Sequence, residues 1–190
     1  MNAYDVLHRV GFREFTRVLY RAEVTGAERI PASGGAILAS NHASIVDPFI
    51  LAVATKREIH YMAKAELFGN PLLGAVFRSL NAFPVERGGG DRTAISEAAR
   101  LLERGELLGI FPQGTSKAHR QIGWHRGAAR LALTTGTPLI PVRMTGTRGW
   151  PGRTRVTIMV GEPIDVAVGQ PTIAAAKDLT DRLEQAVAAA

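Results

Sequence analysis

Apolar and polar residues alternate along the chain in a way that divides it into helical and extended segments. Over residues 4 to 21, Val6, Leu7, Val10, Phe15 and Val18 or Leu19 recur at helical spacing, while Arg9, Arg13, Arg17 and Arg21 form an i, i+4 stripe. This predicts an amphipathic N-terminal helix with a basic ridge. Its apolar face suits either the acyl boundary of a membrane, with the arginines on anionic lipid, or packing onto the domain with the arginines solvated. Residues 22 to 30 suggest a short strand, and the turn Pro31 to Gly35 leads into the apolar run Ala36-Ile37-Leu38-Ala39-Ser40, which fits a buried strand. A helix-compatible segment follows from Pro48 to Ala54.

Glu58 to Ala63 reads as a second core strand, with Lys64 at its end, and Pro71 to Leu80 is apolar enough for a core helix or the wall of a lipid pocket. Asn81 to Arg87 looks like a third short strand before the loop Gly88-Gly89-Gly90. Asp91 suits the N-cap of a helix that buries Ile95, Ala98, Ala99 and Leu102 and stops near Gly105. Leu107 to Phe111 is the next core strand, a helix runs from Gly127 to an end at Gly136, and Pro138 to Val142 is again extended. A late strand at Arg155 to Val160 and a helix at Lys177 to Ala189 complete the pattern. Such alternation predicts an α/β fold with a mostly parallel central sheet flanked by helices.

Composition narrows the class of protein. At 190 residues the chain is expected to form a single domain, and 46% hydrophobic residues argue for a packed core. No run approaches the roughly 20 apolar residues that span a bilayer, and the first eleven residues carry His8 and Arg9 where a secretory signal needs an uninterrupted apolar stretch. A cytoplasmic protein is expected. There is no cysteine, which excludes disulfides, thiolate metal sites and a covalent cysteine intermediate. The net charge of +6 favours anionic partners, either phosphates or an anionic membrane surface. Nucleic acid is not expected, because aromatic residues are sparse and no nucleic-acid-binding motif occurs.

Candidate chemistry concentrates at strand ends. Asn41-His42-Ala43-Ser44-Ile45-Val46-Asp47 joins the Ala36 strand to the Pro48 helix, a junction of the kind where sites collect in α/β proteins. If the helix opens at Ser44, then Ser44 and Asp47 have the spacing of a capping box, and His42 lies just outside the first turn. Asp47 bound to one imidazole nitrogen would let the other accept a hydroxyl proton, making His42 a general base. The plainer reading is a helix cap beside a satisfied turn histidine. Farther on, Pro112 to Lys117 is a loop whose Gly114 permits close backbone approach. Lys117, His119, Arg120, His125 and Arg126 then form either an anion-binding rim or a basic surface loop.

Four blocks in register resemble the glycerolipid acyltransferase family typified by 1-acylglycerol-3-phosphate acyltransferase. They are Asn41-His42-x4-Asp47, Phe83-Pro84-Val85-Glu86-Arg87, Phe111-Pro112-Gln113-Gly114-Thr115 and Ile140-Pro141-Val142, within a motif-bearing core at residues 36 to 142. The resemblance implies an O-acyltransferase of phospholipid biosynthesis. His42, polarised by Asp47, would activate a hydroxyl of a lysophospholipid-type acceptor, first among them 1-acylglycerol-3-phosphate, against an acyl thioester carried on coenzyme A or acyl carrier protein. That thioester is a co-substrate, and neither a cofactor nor a metal is expected. Lys64 and Arg87 match basic positions near the acceptor phosphate, and Gln113, Gly114 and Thr115 would complete the acceptor loop. The resemblance also implies a peripheral protein on the inner face of the membrane.

This chain departs from the family at two positions. Gln113 stands where glutamate is usual and Ser116 where arginine is common, so a negative charge and a cation are both missing. Lys117 or Arg120 is the expected substitute for the cation. Two other readings accommodate these changes: a lipid-binding homologue without catalysis, and an acyl-thioester hydrolase using the same base on water.

Overall fold

The computed structural model describes residues 11–85, 92–116, 123–149 and 153–190. Among these residues, seven strands form one sheet: β1 (Glu23–Thr25), β2 (Ala36–Ser40), β3 (Ile59–Lys64), β4 (Ala82–Val85), β5 (Leu107–Ile110), β6 (Leu139–Thr145) and β7 (Thr157–Val160). Their spatial order is β1-β7-β6-β2-β5-β3-β4. Pairing is parallel throughout except where β6 meets β7. The strands β2 to β6 therefore all release their chains at the same edge, and β2 does so from the middle, between β5 and β6.

All five residues of β2 are buried, because the sheet is covered on both faces. On one face Ala36 and Leu38 pack with Ile50, Leu51, Ile140 and Val142. On the other, Ile37 and Ala39 meet Ala98, Leu102, Leu131 and Leu183. Full burial of each leucine or isoleucine here contributes roughly 1.5–3 kcal/mol, which makes the strand that carries the candidate turn one of the most rigid parts of the molecule. Among the described residues, six α-helices surround the sheet: α1 (Phe12–Leu19), α2 (Asp47–Leu51), α3 (Pro71–Ser79), α4 (Arg92–Glu103), α5 (Gly127–Thr135) and α6 (Ile173–Ala189).

Several elements differ from their predicted form. The strand expected over residues 22 to 30 is cut short at Thr25, because Gly26 takes a left-handed φ of 73° and a 3-10 turn follows at Ala27–Arg29. The helix expected from Pro48 to Ala54 is an α-helical turn that tightens into a 3-10 turn at Ala52–Ala54. In α4 the buried positions include Ala94 and Leu101, whereas Ile95, expected in the core, is half exposed. The predicted Asp91 cap lies outside the described residues.

The N-terminal helix is described only from Phe12, so its expected first two turns lie outside the described residues. It packs against α2 and the Ala52–Ala54 turn. Of the two orientations expected, the described part turns two of its apolar side chains outward. Thr16 is buried, while Phe15 and Val18 are 62% and 77% exposed. Arg13 is tucked in beside Glu14 at 3.3 Å, and Arg21 lies past the helix end with a φ of 46°. The expected basic ridge is therefore broken within the described part.

Candidate active site

Beyond Ser40 the chain leaves β2 and turns through residues 41–46 before α2 begins. The helix opens later than a capping box at Ser44 requires: Val46 holds the N-cap position and cannot cap with its side chain. Asp47 does that work from inside the helix, reaching backward. Its Oδ2 accepts from the Ala43 N–H at 2.6 Å, from the Ser44 N–H at 2.8 Å and from His42 Nδ1 at 2.8 Å. Only the acid half of the anticipated box is therefore formed. The carboxylate is fully buried, and three donors on one oxygen compensate the loss of water. Its Oδ1 is buried with no hydrogen-bond partner among the described residues.

With Nδ1–H committed to Asp47, the lone pair of His42 is on Nε2, the tautomer a general base needs. The ring is further fixed by Phe111, which stacks on it with centroids 4.4 Å apart and planes 24° from parallel. Phe111 in turn lies over Tyr61, whose hydroxyl donates to the Pro48 carbonyl at 2.8 Å and so ties β3 to the start of α2. Gly109 makes room for that tyrosine, since a Cβ there would sit 2.5 Å from its ring.

Two more side chains hold the turn from either side. Asn41 bonds with both ends of its amide to β6: Nδ2 donates to the Met144 carbonyl at 2.9 Å, and Oδ1 accepts the Met144 N–H at 2.7 Å. From the β5 side, Gln113 Oε1 accepts the His42 backbone N–H at 2.5 Å. The amide that replaces the usual carboxylate thus retains the acceptor this contact needs. The turn is held on the β5 and β6 sides alike, so its geometry is set before any ligand arrives.

His42 opens onto a cavity of about 540 Å³, within the range typical of small-molecule sites. Leu67, Phe77, Leu80, Ile95, Ile110 and Leu131 contribute apolar wall, and Lys64, Gly114, Thr115, Ser116 and His125 also line it. The structure therefore brings Lys64, Gly114 and Thr115 into one space with His42. Lys64 Nζ is paired with Glu66 at 2.6 Å. Gly114 has a φ of 67°, and a Cβ on it would meet the His125 ring at 2.9 Å, so glycine is required there twice over. Arg87, Lys117 and Arg120 lie outside the described residues. Among the described residues, no group of three or more His, Cys, Asp or Glu side chains is placed to hold a metal ion.

Sequence reasoning missed Tyr61 and the partners of Asn41. It also missed Arg148, whose Nε–H donates to the Ala43 carbonyl at 3.1 Å. Tyr61 carried a faint signal, as an aromatic residue in a core strand beside a strand glycine. Arg148 carried none.

Residues 21–145 match the family model described as Acyltransferase. The chain is 34% identical over 149 residues to the 1-acyl-sn-glycerol-3-phosphate acyltransferase of Bacillus subtilis (strain 168), an alignment covering 76% of this chain and 74% of that protein. It is also 34% identical over 136 residues to the enzyme of the same name from Streptococcus pneumoniae, covering 69% of this chain and 50% of that one. The crystal structure of the 1-acyl-sn-glycerophosphate acyltransferase from Thermotoga maritima superposes with a TM-score of 0.72 at 25% identity, over 98% of this chain and 77% of that chain. The region matched by the family model takes in the whole motif-bearing core, residues 36 to 142, and the chain belongs to the Acyltransferase family.

Proposed function

We propose that this protein transfers a fatty acyl group from an acyl thioester to a free hydroxyl of a lysophospholipid-type acceptor, with 1-acylglycerol-3-phosphate the first candidate, as a step of phospholipid synthesis. The observation that carries this reading is the His42–Asp47 pair, held at 2.8 Å at the head of an apolar cavity. Nε2 of His42 takes the acceptor's hydroxyl proton as that oxygen attacks the thioester carbonyl. The tetrahedral intermediate then collapses, the carbon–sulfur bond breaks, and the imidazolium returns the proton to the departing thiolate. Products are the new ester and a free thiol. No enzyme nucleophile is needed, in keeping with a chain without cysteine.

The thioester is carried on coenzyme A or acyl carrier protein, and no cofactor takes part. Lys64, Gln113, Gly114 and Thr115, with Arg87, Lys117 and Arg120, form the acceptor side. The decisive measurement is release of free thiol with and without acceptor. Acceptor-dependent release together with a diacyl product seen by mass spectrometry supports transfer. Equal release without acceptor indicates a hydrolase, and no release indicates a binding protein.

The acceptor is a membrane lipid, and the protein is proposed to work peripherally on the inner face of an anionic membrane. None of the described helices is long and apolar enough to cross a bilayer. Outward-facing Phe15 and Val18 on α1, beside the exposed Arg17, supply an apolar and cationic contact next to the helix that carries Asp47. Replacing both with aspartate is expected to lower binding to anionic vesicles by more than tenfold without unfolding the protein, since a buried Phe or Val contributes roughly 1.5–3 kcal/mol. Unchanged vesicle binding would remove α1 from the membrane contact.

A further inference from the structure

The proposed catalytic turn has two flanks, and the cavity-lining polar residues account for one of them; on the other, β6 carries the apolar block Ile140-Pro141-Val142, which offers no cation. Lys64, Thr115 and Ser116 sit on the β3 and β5 side, lining the cavity with His42. On the other side β2 borders β6, and the chain leaving β6 forms a hairpin that returns as β7. The two limbs of this hairpin touch: a side chain at Gly146 would collide with the Arg155 carbonyl, and one at Gly149 would collide with Thr154. Arg148 precedes Gly149 on the outgoing limb and Arg153 precedes Thr154 on the returning limb, so each adjoins one partner of this contact.

Both arginines are exposed, and among the described residues neither forms an ion pair with a carboxylate. The third arginine of the hairpin, Arg155, is different, being paired with Glu23 at 3.1 Å. Arg148 is also anchored. Its Nε–H donates to the carbonyl of Ala43, the residue after His42, at 3.1 Å, which uses one edge of the guanidinium and holds the group beside the catalytic turn. Two terminal nitrogens remain for a ligand, in the fork geometry that suits a phosphate.

We propose that Arg148, assisted by Arg153, is a phosphate-binding element on the β6 side of the catalytic turn, engaging a phosphate of one of the two substrates while that substrate is poised at His42. This rests on the acyl-transfer reading, in which both partners of the reaction carry phosphate: the acceptor in its headgroup, the donor in the phosphopantetheine arm of its carrier. Holding two such anions on separate cationic flanks keeps like charges farther apart than a single flank does. The sheet supplies a second one across β2.

The test uses the intact protein and the variants Arg148→Ala, Arg148→Lys and Arg153→Ala. KM and kcat are measured for 1-acylglycerol-3-phosphate against a monoacylglycerol, and for acyl-coenzyme A and acyl carrier protein against an acyl-N-acetylcysteamine thioester, which has no phosphate. Arg148→Ala is expected to raise KM for one phosphate-bearing substrate by about tenfold, with its phosphate-free counterpart unaffected. A shift confined to the lysophosphatidate arm identifies the acceptor as the source. A shift in the carrier arms identifies the donor. Arg148→Lys should recover part of the loss by keeping the charge, and Arg153→Ala should cause a smaller shift in the same arm.

Equal losses of kcat with phosphate-bearing and phosphate-free substrates would overturn the proposal, because Arg148 would then only be bracing Ala43. So would unchanged KM values in every arm. Equilibrium binding of lysophosphatidate and of coenzyme A, measured calorimetrically, separates this outcome from failure of the acyl-transfer reading. It responds to Arg148 even if the wild-type protein shows no turnover, and wild-type turnover by itself judges that reading.

Discussion

Opposite ends of the same mostly parallel sheet are each closed by one charged side chain that gathers several hydrogen-bond partners, and we propose that only one of the two serves catalysis. At the end where the strands finish, Asp47 gathers three donors from His42, Ala43 and Ser44. At the end where they begin, Arg57 gathers three carbonyls: Pro31 at 2.7 Å, Gly34 at 2.9 Å, and Gly105. Those carbonyls precede β2 and β5, and Arg57 itself precedes β3. Burial lowers the pKa of its guanidinium, with Glu106 opposing the effect. Arg57 spends its donors on distant backbone, so its product is stability. Asp47 closes a turn of six residues and spends one bond on an imidazole that faces a cavity. Chemistry arises where a charged group is coupled to a second titratable group with access to a ligand, and not from the charge or its burial.

The sharpest test of this contrast is His42→Ala. Activity should fall by roughly 10²–10⁴-fold, the usual contribution of a positioned base, while the urea midpoint stays near that of the wild type. A folded variant with full turnover would erase the difference between the two ends. Asp47→Asn comes next: the amide oxygen still closes the turn, but the charge that stabilises the imidazolium is gone. A loss of about 10²-fold in kcat/KM is expected, with about 1–2 kcal/mol of stability lost as charge-assisted bonds become neutral ones.

Arg57→Ala should do the reverse. Leaving three strand-leading carbonyls without their partner is expected to cost on the order of 2–3 kcal/mol, visible as a lower denaturation midpoint, with kcat/KM almost unchanged below the transition. A large drop in kcat/KM with the fold intact would mean that the two ends communicate. Smaller still is the effect expected of Gln113→Glu. A carboxylate accepts the His42 N–H as the amide does, so the chemistry should survive. Adding a negative charge beside the acceptor cations should change relative kcat/KM among acceptors by about tenfold, the scale of one charge-assisted hydrogen bond. A uniform change across acceptors would confine Gln113 to holding the turn.

Much of this molecule is written locally. The apolar runs at residues 36–40, 107–110 and 139–142, the glycine stop at Gly136 and the helix ending at Ala189 all appear close to where periodicity places them. This works because strand burial and helix faces depend on neighbours one to four residues apart. The His42–Asp47 pair was legible for the same reason, being separated by only five positions. Boundaries failed where a local conformation intervened, as at Gly26 and at the 3-10 turn after α2.

What tertiary structure alone decided lies at long separation. Asn41 finds Met144 across 103 positions, Gln113 finds the His42 N–H across 71, and Arg148 finds Ala43 across 105. No periodicity encodes these contacts, because they follow from strand order: β5 and β6 come to flank β2 only when the sheet is assembled. The outward turn of Phe15 and Val18 has the same origin. An amphipathic pattern defines two faces of a helix, but which of them meets the domain depends on the surface that α2 and its 3-10 turn present, and that surface exists only in the folded chain.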